Sequence, residues 1–264
     1  MPEGIISLQN EENENINLDE GEPFEAAFRF SNILPYDFNG PLNVRYTFSN
    51  QSSQNERTET IQIPVIGSGE SADFNLPIET IGDLGLNDLE VFVNPGEELE
   101  QYYSNNRILL EGFYNVVRDE VNPAMDVTFD GVYIMDGDVV NAQPLIEIEL
   151  KDNNQFKFKT DTAGVELFLS ENVQDAPVNQ IFFSDPNLRF TPAGEGQNYK
   201  VQYTPPELSD GMYTLRARAA DASGNLAGDD YVINFEVINE STITNFYPYP
   251  NPFSTSVRFV FTLT

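Results

Sequence analysis

The sequence predicts an all-β protein built as two tandem antiparallel β-sandwiches with one further strand segment behind them. Apolar residues recur at every second position over many short stretches, which is the period of a strand with one buried face. Gly, Pro, Asn and Ser clusters such as Asn39-Gly40-Pro41 and Gly67-Ser68-Gly69 punctuate those stretches at turn spacing. Helical periodicity is nearly absent. Short strands separated in this way pack as a sandwich, although a closed barrel fits the same periodicity almost as well.

In the first half, Phe24, Ala26, Phe28 and Phe30 share one face of a strand, and Val44, Tyr46 and Phe48 share one face of the next. A strand over Thr60–Val65 follows. Leu89, Val91 and Val93 mark another, and Arg107–Val117 is long enough for one strand or a bent pair. Arg118-Asp119-Glu120-Val121-Asn122-Pro123 is polar and ends in proline, so the domain boundary falls there.

The second half repeats the pattern. Ile146, Ile148 and Leu150 alternate with Leu145, Glu147 and Glu149; Val165, Leu167 and Leu169 continue the series, and then Val201 and Tyr203. Tyr213, Leu215, Ala217 and Ala219 form the next face, and Tyr231, Ile233, Phe235 and Val237 close the domain. Arg216 and Arg218 lie opposite, on a face expected to carry solvated ion pairs. Asn239–Thr242 reads as a linker. The three prolines of Tyr247–Phe253 argue against helix and interior strand. The last strand, with Val257, Phe259, Phe261 and Leu263 on one face, has no partner strand left in the sequence. The domains are thus 2–118, 122–240 and a terminal segment 241–264.

Composition excludes several functions. The 264 residues hold 13 Lys and Arg against 43 Asp and Glu, a formal charge of −30. Such a surface repels phosphate backbones and anionic lipid, so neither nucleic acid nor a membrane surface is expected as a partner. There is no Cys and no His. Ser–His and Cys–His catalysis, disulfides and nearly all zinc sites are thereby unavailable, and the chain is expected not to be an enzyme. No apolar run approaches the ~20 residues of a membrane-spanning helix. Met1-Pro2-Glu3 does not open a signal peptide. The chain reads as a segment of a longer protein, with Met1 an expression start.

Three stretches carry resemblances. Val91-Phe92-Val93-Asn94-Pro95-Gly96-Glu97-Glu98, followed by Asn105-Asn106, resembles the closing motif of CARDB-type adhesion domains. Gln101-Tyr102-Tyr103-Ser104 stands before the Asn pair, where that family often has an acidic residue. Val127–Gly131, Asp136–Val140, Pro144–Ile148, Asp161-Thr162, Asp210–Tyr213 and Asp221–Asn225 together are similar to the immunoglobulin-like domain near the C-terminus of gingipain-related, PorU-like surface proteins of Bacteroidetes. Tyr249, Pro250, Asn251, Pro252 and Phe253, with the strand after them, look like the truncated start of a sorting domain read by the type IX secretion system.

The resemblances imply two immunoglobulin-like sandwiches, of which 2–118 is CARDB-like. They imply a non-catalytic accessory region of a secreted or outer-membrane cell-surface protein, C-terminal to a cysteine-peptidase-like domain. Its role would be spacer, stabiliser or interaction module. The alternative is an adhesion or glycan-binding module using loops at one end of a sandwich. Partners implied are the type IX secretion machinery, an upstream peptidase domain or a surface glycan.

Candidate sites are few. Asp136 and Asp138 in one tight loop, and Asp221 and Asn225 in another, offer the oxygen ligands calcium prefers; no other cofactor is expected. Neither loop follows the EF-hand pattern, and Asp221 and Asn225 also suit a turn that satisfies its own backbone. Paired loop acids lack the cleft that glycosidase chemistry needs. Asp161-Thr162-Ala163 resembles the short O-glycosylation signal of exported Bacteroidetes proteins, with Thr162 as acceptor. In Tyr102-Tyr103 and Phe182-Phe183 one ring of each pair is expected in the core, because neighbours on a strand face opposite ways.

Overall fold

A computed structural model describes residues 1–9, 16–173, 177–239, 243–252 and 255–263. They divide into two compact units, Met1–Asp119 with Asn154–Lys157, and Glu120–Asn153 with Phe158–Thr264. Both are all-β, as the alternation requires.

The first unit contains β1 (Gly4–Leu8), β2 (Ile16–Asp19), β3 (Phe24–Asn32), β4 (Leu42–Asn50), β5 (Glu56–Ile63), β6 (Ser71–Ile78), β7 (Gly85–Val93) and β8 (Arg107–Val117). A three-stranded sheet β1-β3-β6 and a five-stranded sheet β2-β8-β7-β4-β5 bury one continuous core. Ala26, Phe28 and Phe30 from one sheet meet Val44, Tyr46, Leu89 and Val91 from the other, all essentially inaccessible to water. Pro64 follows the last residue of β5, and the strand stops there. Pro77 lies on β6, the edge of its sheet, where a missing N–H leaves no ladder bond unmade. β8 is a single strand of 11 residues. A register shift opposite Asn87–Leu89 bends it, and Gly112 takes φ 59° where the ladder is interrupted.

The second unit contains β9 (Ala124–Phe129), β10 (Asp138–Val140), β11 (Ile146–Lys151), β12 (Glu166–Glu171), β13 (Gln180–Ile181), β14 (Leu188–Thr191), β15 (Tyr199–Tyr203), β16 (Gly211–Arg218) and β17 (Tyr231–Val237). Its sheets run β14-β15-β11-β9 and β10-β17-β16-β12-β13. Ile146, Leu215, Ala217, Phe235 and Val237 lie in the core between them. Most pairs are antiparallel. Two edge pairs are parallel instead: β2 on β8 and β10 on β17.

The C-terminal segment departs from expectation. Its last strand, β19 (Arg258–Leu263), does have a partner, because Ile243–Tyr249 forms a strand, β18, antiparallel to it. Pro248 sits within β18 opposite Phe259. In a two-stranded sheet every strand is an edge, so proline is tolerated where the sequence argued against a strand. Among the described residues no third strand joins this hairpin.

Candidate functional site

A heavily bonded polar cluster lies in the first unit, between Asn94 and Asn106. Asn94 takes φ 50°, a left-handed conformation that Asn adopts more readily than most residues. Its Oδ1 accepts from the backbone N–H groups of Glu97 (3.1 Å) and Glu98 (2.8 Å), while Nδ2 donates to Glu98 O (2.9 Å) and Glu100 Oε1 (2.5 Å). One side chain therefore folds the whole acidic turn. Glu100 Oε1 also accepts from Asn106 Nδ2, and Oε2 accepts from Gly4 N–H on β1, both at 2.6 Å. Glu3 Oε2 accepts from the backbone N–H groups of Gln101 (2.8 Å) and Tyr102 (3.1 Å), and Oε1 accepts from Asn105 Nδ2 (2.7 Å).

Glu3, Asn94, Glu100 and Asn106 are all buried. Burial pushes the Glu100 carboxyl above its ordinary range, the donors from Asn94, Gly4 and Asn106 oppose that, and the Glu3 charge adds to it. Chemically, the cluster presents acceptors to backbone donors. It ties β1 to the loop before β8.

The proposed calcium loops are also engaged. Asp136 Oδ1 accepts from Asn234 N–H (2.9 Å) and Asn234 Nδ2 (2.8 Å), which pins the β10 edge to β17. Asp138 Oδ2 accepts from Met135 N–H at 2.8 Å. Asp221 is buried, and its Oδ1 accepts from Ser223 N–H and Asn225 N–H, each at 2.8 Å. Its Oδ2 accepts from Asn225 Nδ2 at 2.8 Å, so Asn225 presents a donor to Asp221. Asp221 and Asn225 thus share one turn, and Asp136 and Asp138 another. Among the described residues, the acids gathered within 4.8 Å around Asp221 include Asp152 and neither Asp136 nor Asp138.

Thr162 is half-buried in the turn that leads into β12, beside a buried lysine. Lys159 donates to Asp161 Oδ1 (3.0 Å) and Ala163 O (2.6 Å), and this ammonium holds the Asp161 carboxyl below its ordinary range. Tyr249 ends β18 and is exposed; Pro250, Asn251 and Pro252 follow it, and Phe253 lies outside the described residues. Phe183 packs on the second core while Phe182 is exposed, and Tyr102 is exposed beside a half-buried Tyr103. Arg216 covers the Phe168 ring, and Arg218 pairs with Asp230 at 2.7 Å.

Glu3 and Glu100 escaped the sequence reading. Their signal was present only in hindsight: Glu100 stands six residues before Asn106, but nothing in the spacing marks Glu3 as a neighbour.

No family model matches the chain, and no curated protein matches it. Among solved structures, a CARDB domain from Pyrococcus furiosus, in complex with di-metal ions, is 13% identical over 44% of this chain and 89% of its own, with a TM-score of 0.34. Dimeric latent PorU from Porphyromonas gingivalis is 14% identical over 100% of this chain and 27% of its own, also at 0.34. A titin fragment is 11% identical over 90% of this chain and 100% of its own, at 0.25. The likeness is one of all-β folds and reaches no residue. No described helix is long and apolar enough to cross a membrane.

Proposed function

We propose that this chain is a non-catalytic accessory region of a secreted or cell-surface protein handled by type IX secretion, standing C-terminal to a cysteine-peptidase-like domain. The observation that carries the reading is how the candidate polar groups are used. Glu3, Glu100, Asp136, Asp138 and Asp221 all accept hydrogen bonds that hold loops and edge strands. Groups occupied in this way support a fold that must persist, as a spacer or stabiliser does. The exposed hairpin carrying Tyr249-Pro250-Asn251-Pro252 is where the sorting resemblance falls.

The test is made in a Bacteroidetes cell expressing the encoded protein. Removing residues 1–240 leaves surface delivery intact and shortens the protein's lifetime, followed by surface proteolysis and immunoblotting. Removing residues from 241 onward blocks delivery. Surface delivery that survives the second deletion overturns the sorting role.

A further inference from the structure

Alternation in the five-stranded sheet of the first unit places an unusual row on its outer face. Val44, Tyr46, Leu89, Val91 and Val93 point into the core, so Arg45, Glu90 and Phe92 point out. The register sets Arg45 opposite Phe92, and Phe92 opposite Arg107. Two of only 13 basic residues therefore bracket one aromatic ring on three adjacent strands. The Arg45 guanidinium lies over that ring, 5.5 Å from its centre. Despite the 43 acids of the chain, Arg45 has no carboxylate partner among the described residues.

In the adjoining row Thr47 lies opposite Glu90, and Glu90 opposite Leu109, while Arg107 pairs with Glu90. Leu109 is 54% exposed and lines two adjoining hollows. One, of about 380 Å³, is walled by charged and hydroxyl side chains including Arg45, Thr47 and Glu90. The other, of about 450 Å³, is floored by Phe92 and Tyr103.

We propose that this face binds a neutral oligosaccharide. A sugar ring has one apolar face and a rim of hydroxyls that both donate and accept. Leu109 and the part of Phe92 that lines the hollow beside it suit the apolar face, planar guanidinium donors and the Glu90 acceptor suit the rim, and Thr47 serves in either sense. A polyanion is disfavoured by the formal charge of −30. An extended peptide adding as a strand needs an open edge. β4 and β7 are each paired on both sides, so a ligand over them is read by side chains alone; β2 reaches β8 only at Tyr114–Val117, and a peptide adding there would lie along the outer edge of Arg107–Phe113, beside this face. This goes beyond the accessory reading, and because its test is made in vitro, it fails independently of the export test.

The experiment is native electrophoresis of the full chain through gels containing soluble β-glucan, xyloglucan, galactomannan or starch. A polygalacturonate gel serves as the charged counterpart. At least one neutral polysaccharide retards the chain, and Arg45→Gln and Arg107→Gln each weaken apparent affinity about tenfold, the size of one lost strong polar contact. Melting temperatures of both variants match the parent, since the exchanged groups are exposed. The proposal is overturned if no neutral polysaccharide retards the chain or if both variants are retarded as strongly as the parent. Equal or stronger retention by polygalacturonate overturns it too.

Discussion

Asn106 Nδ2 lies 2.6 Å from Glu100 Oε1, and both side chains are buried in the first unit. A buried carboxylate with only neutral donors around it is stabilised by them and penalised by burial at once, and here burial is the larger effect. Its pH dependence therefore runs opposite to that of an ion-paired carboxylate.

A raised folded pKa means that the native state binds the Glu100 proton more readily than the unfolded chain does. Its stabilising contribution is complete below the ordinary glutamate range and is lost as pH rises through the raised folded value. The melting temperature of the parent relative to Glu100→Gln should thus fall as pH rises through that window. The repulsion of the remaining acids is common to both proteins and largely cancels in the difference. A constant gap across the window would contradict the assignment.

Asn94→Ala removes four side-chain hydrogen bonds and places a Cβ-bearing residue without a local polar anchor at φ 50°. Unsatisfied buried groups typically cost about 1–3 kcal/mol each. Denaturant unfolding of the variant should show a loss of at least ~2 kcal/mol in the first unit, with the second unit's transition unmoved.

Deleting residues 243–264 removes Phe246, Tyr247, Tyr249, Phe259, Val260 and Phe261, which are between 40% and 65% exposed. Neither of the two core clusters includes any of them. The remainder should melt at nearly the same temperature and sediment with less self-association at high concentration. A loss of several kcal/mol, the scale of removing buried large side chains, would make the hairpin part of the second core.

Both oxygens of Asp221 already accept N–H donors, and Asn225 offers it a donor of its own. Asp221→Ala should lower the melting temperature by the cost of an unmade buried turn, by the same amount with and without chelator if the turn is held by these bonds alone. A rise in melting temperature with calcium that Asp221→Ala abolishes would place an ion at this turn.

Central strands were legible because one residue in two had to be buried. Phe28, Tyr46, Leu89, Leu215 and Phe235 follow from alternation alone. Strands β1, β2, β10, β13 and β14 were not read, since a period hardly emerges from five residues or fewer and they form where a longer neighbour offers an edge; β6 was missed although Phe74, Leu76 and Ile78 alternate along its eight residues. β18 was hidden by Pro248 and the two prolines just beyond its end. The loop acids were legible as turn formers, but the bonds to Asn234 and Gly4 cross most of a domain and leave no local mark. The Arg45–Phe92–Arg107 row depends on register, which spacing in one strand does not specify.

The parallel edges have a consequence for the order in which the protein takes shape. Asn115 bonds to Asn17 beside one of them and Asn234 to Asp136 beside the other, in each case across 98 positions of chain. A chain emerging from its N-terminus cannot seat β2 until β8 has appeared, nor β10 until β17 has, and long loops must close before those pairs form. Each sandwich therefore stays unlocked until nearly its whole length has been synthesised, and then closes with its final long strand.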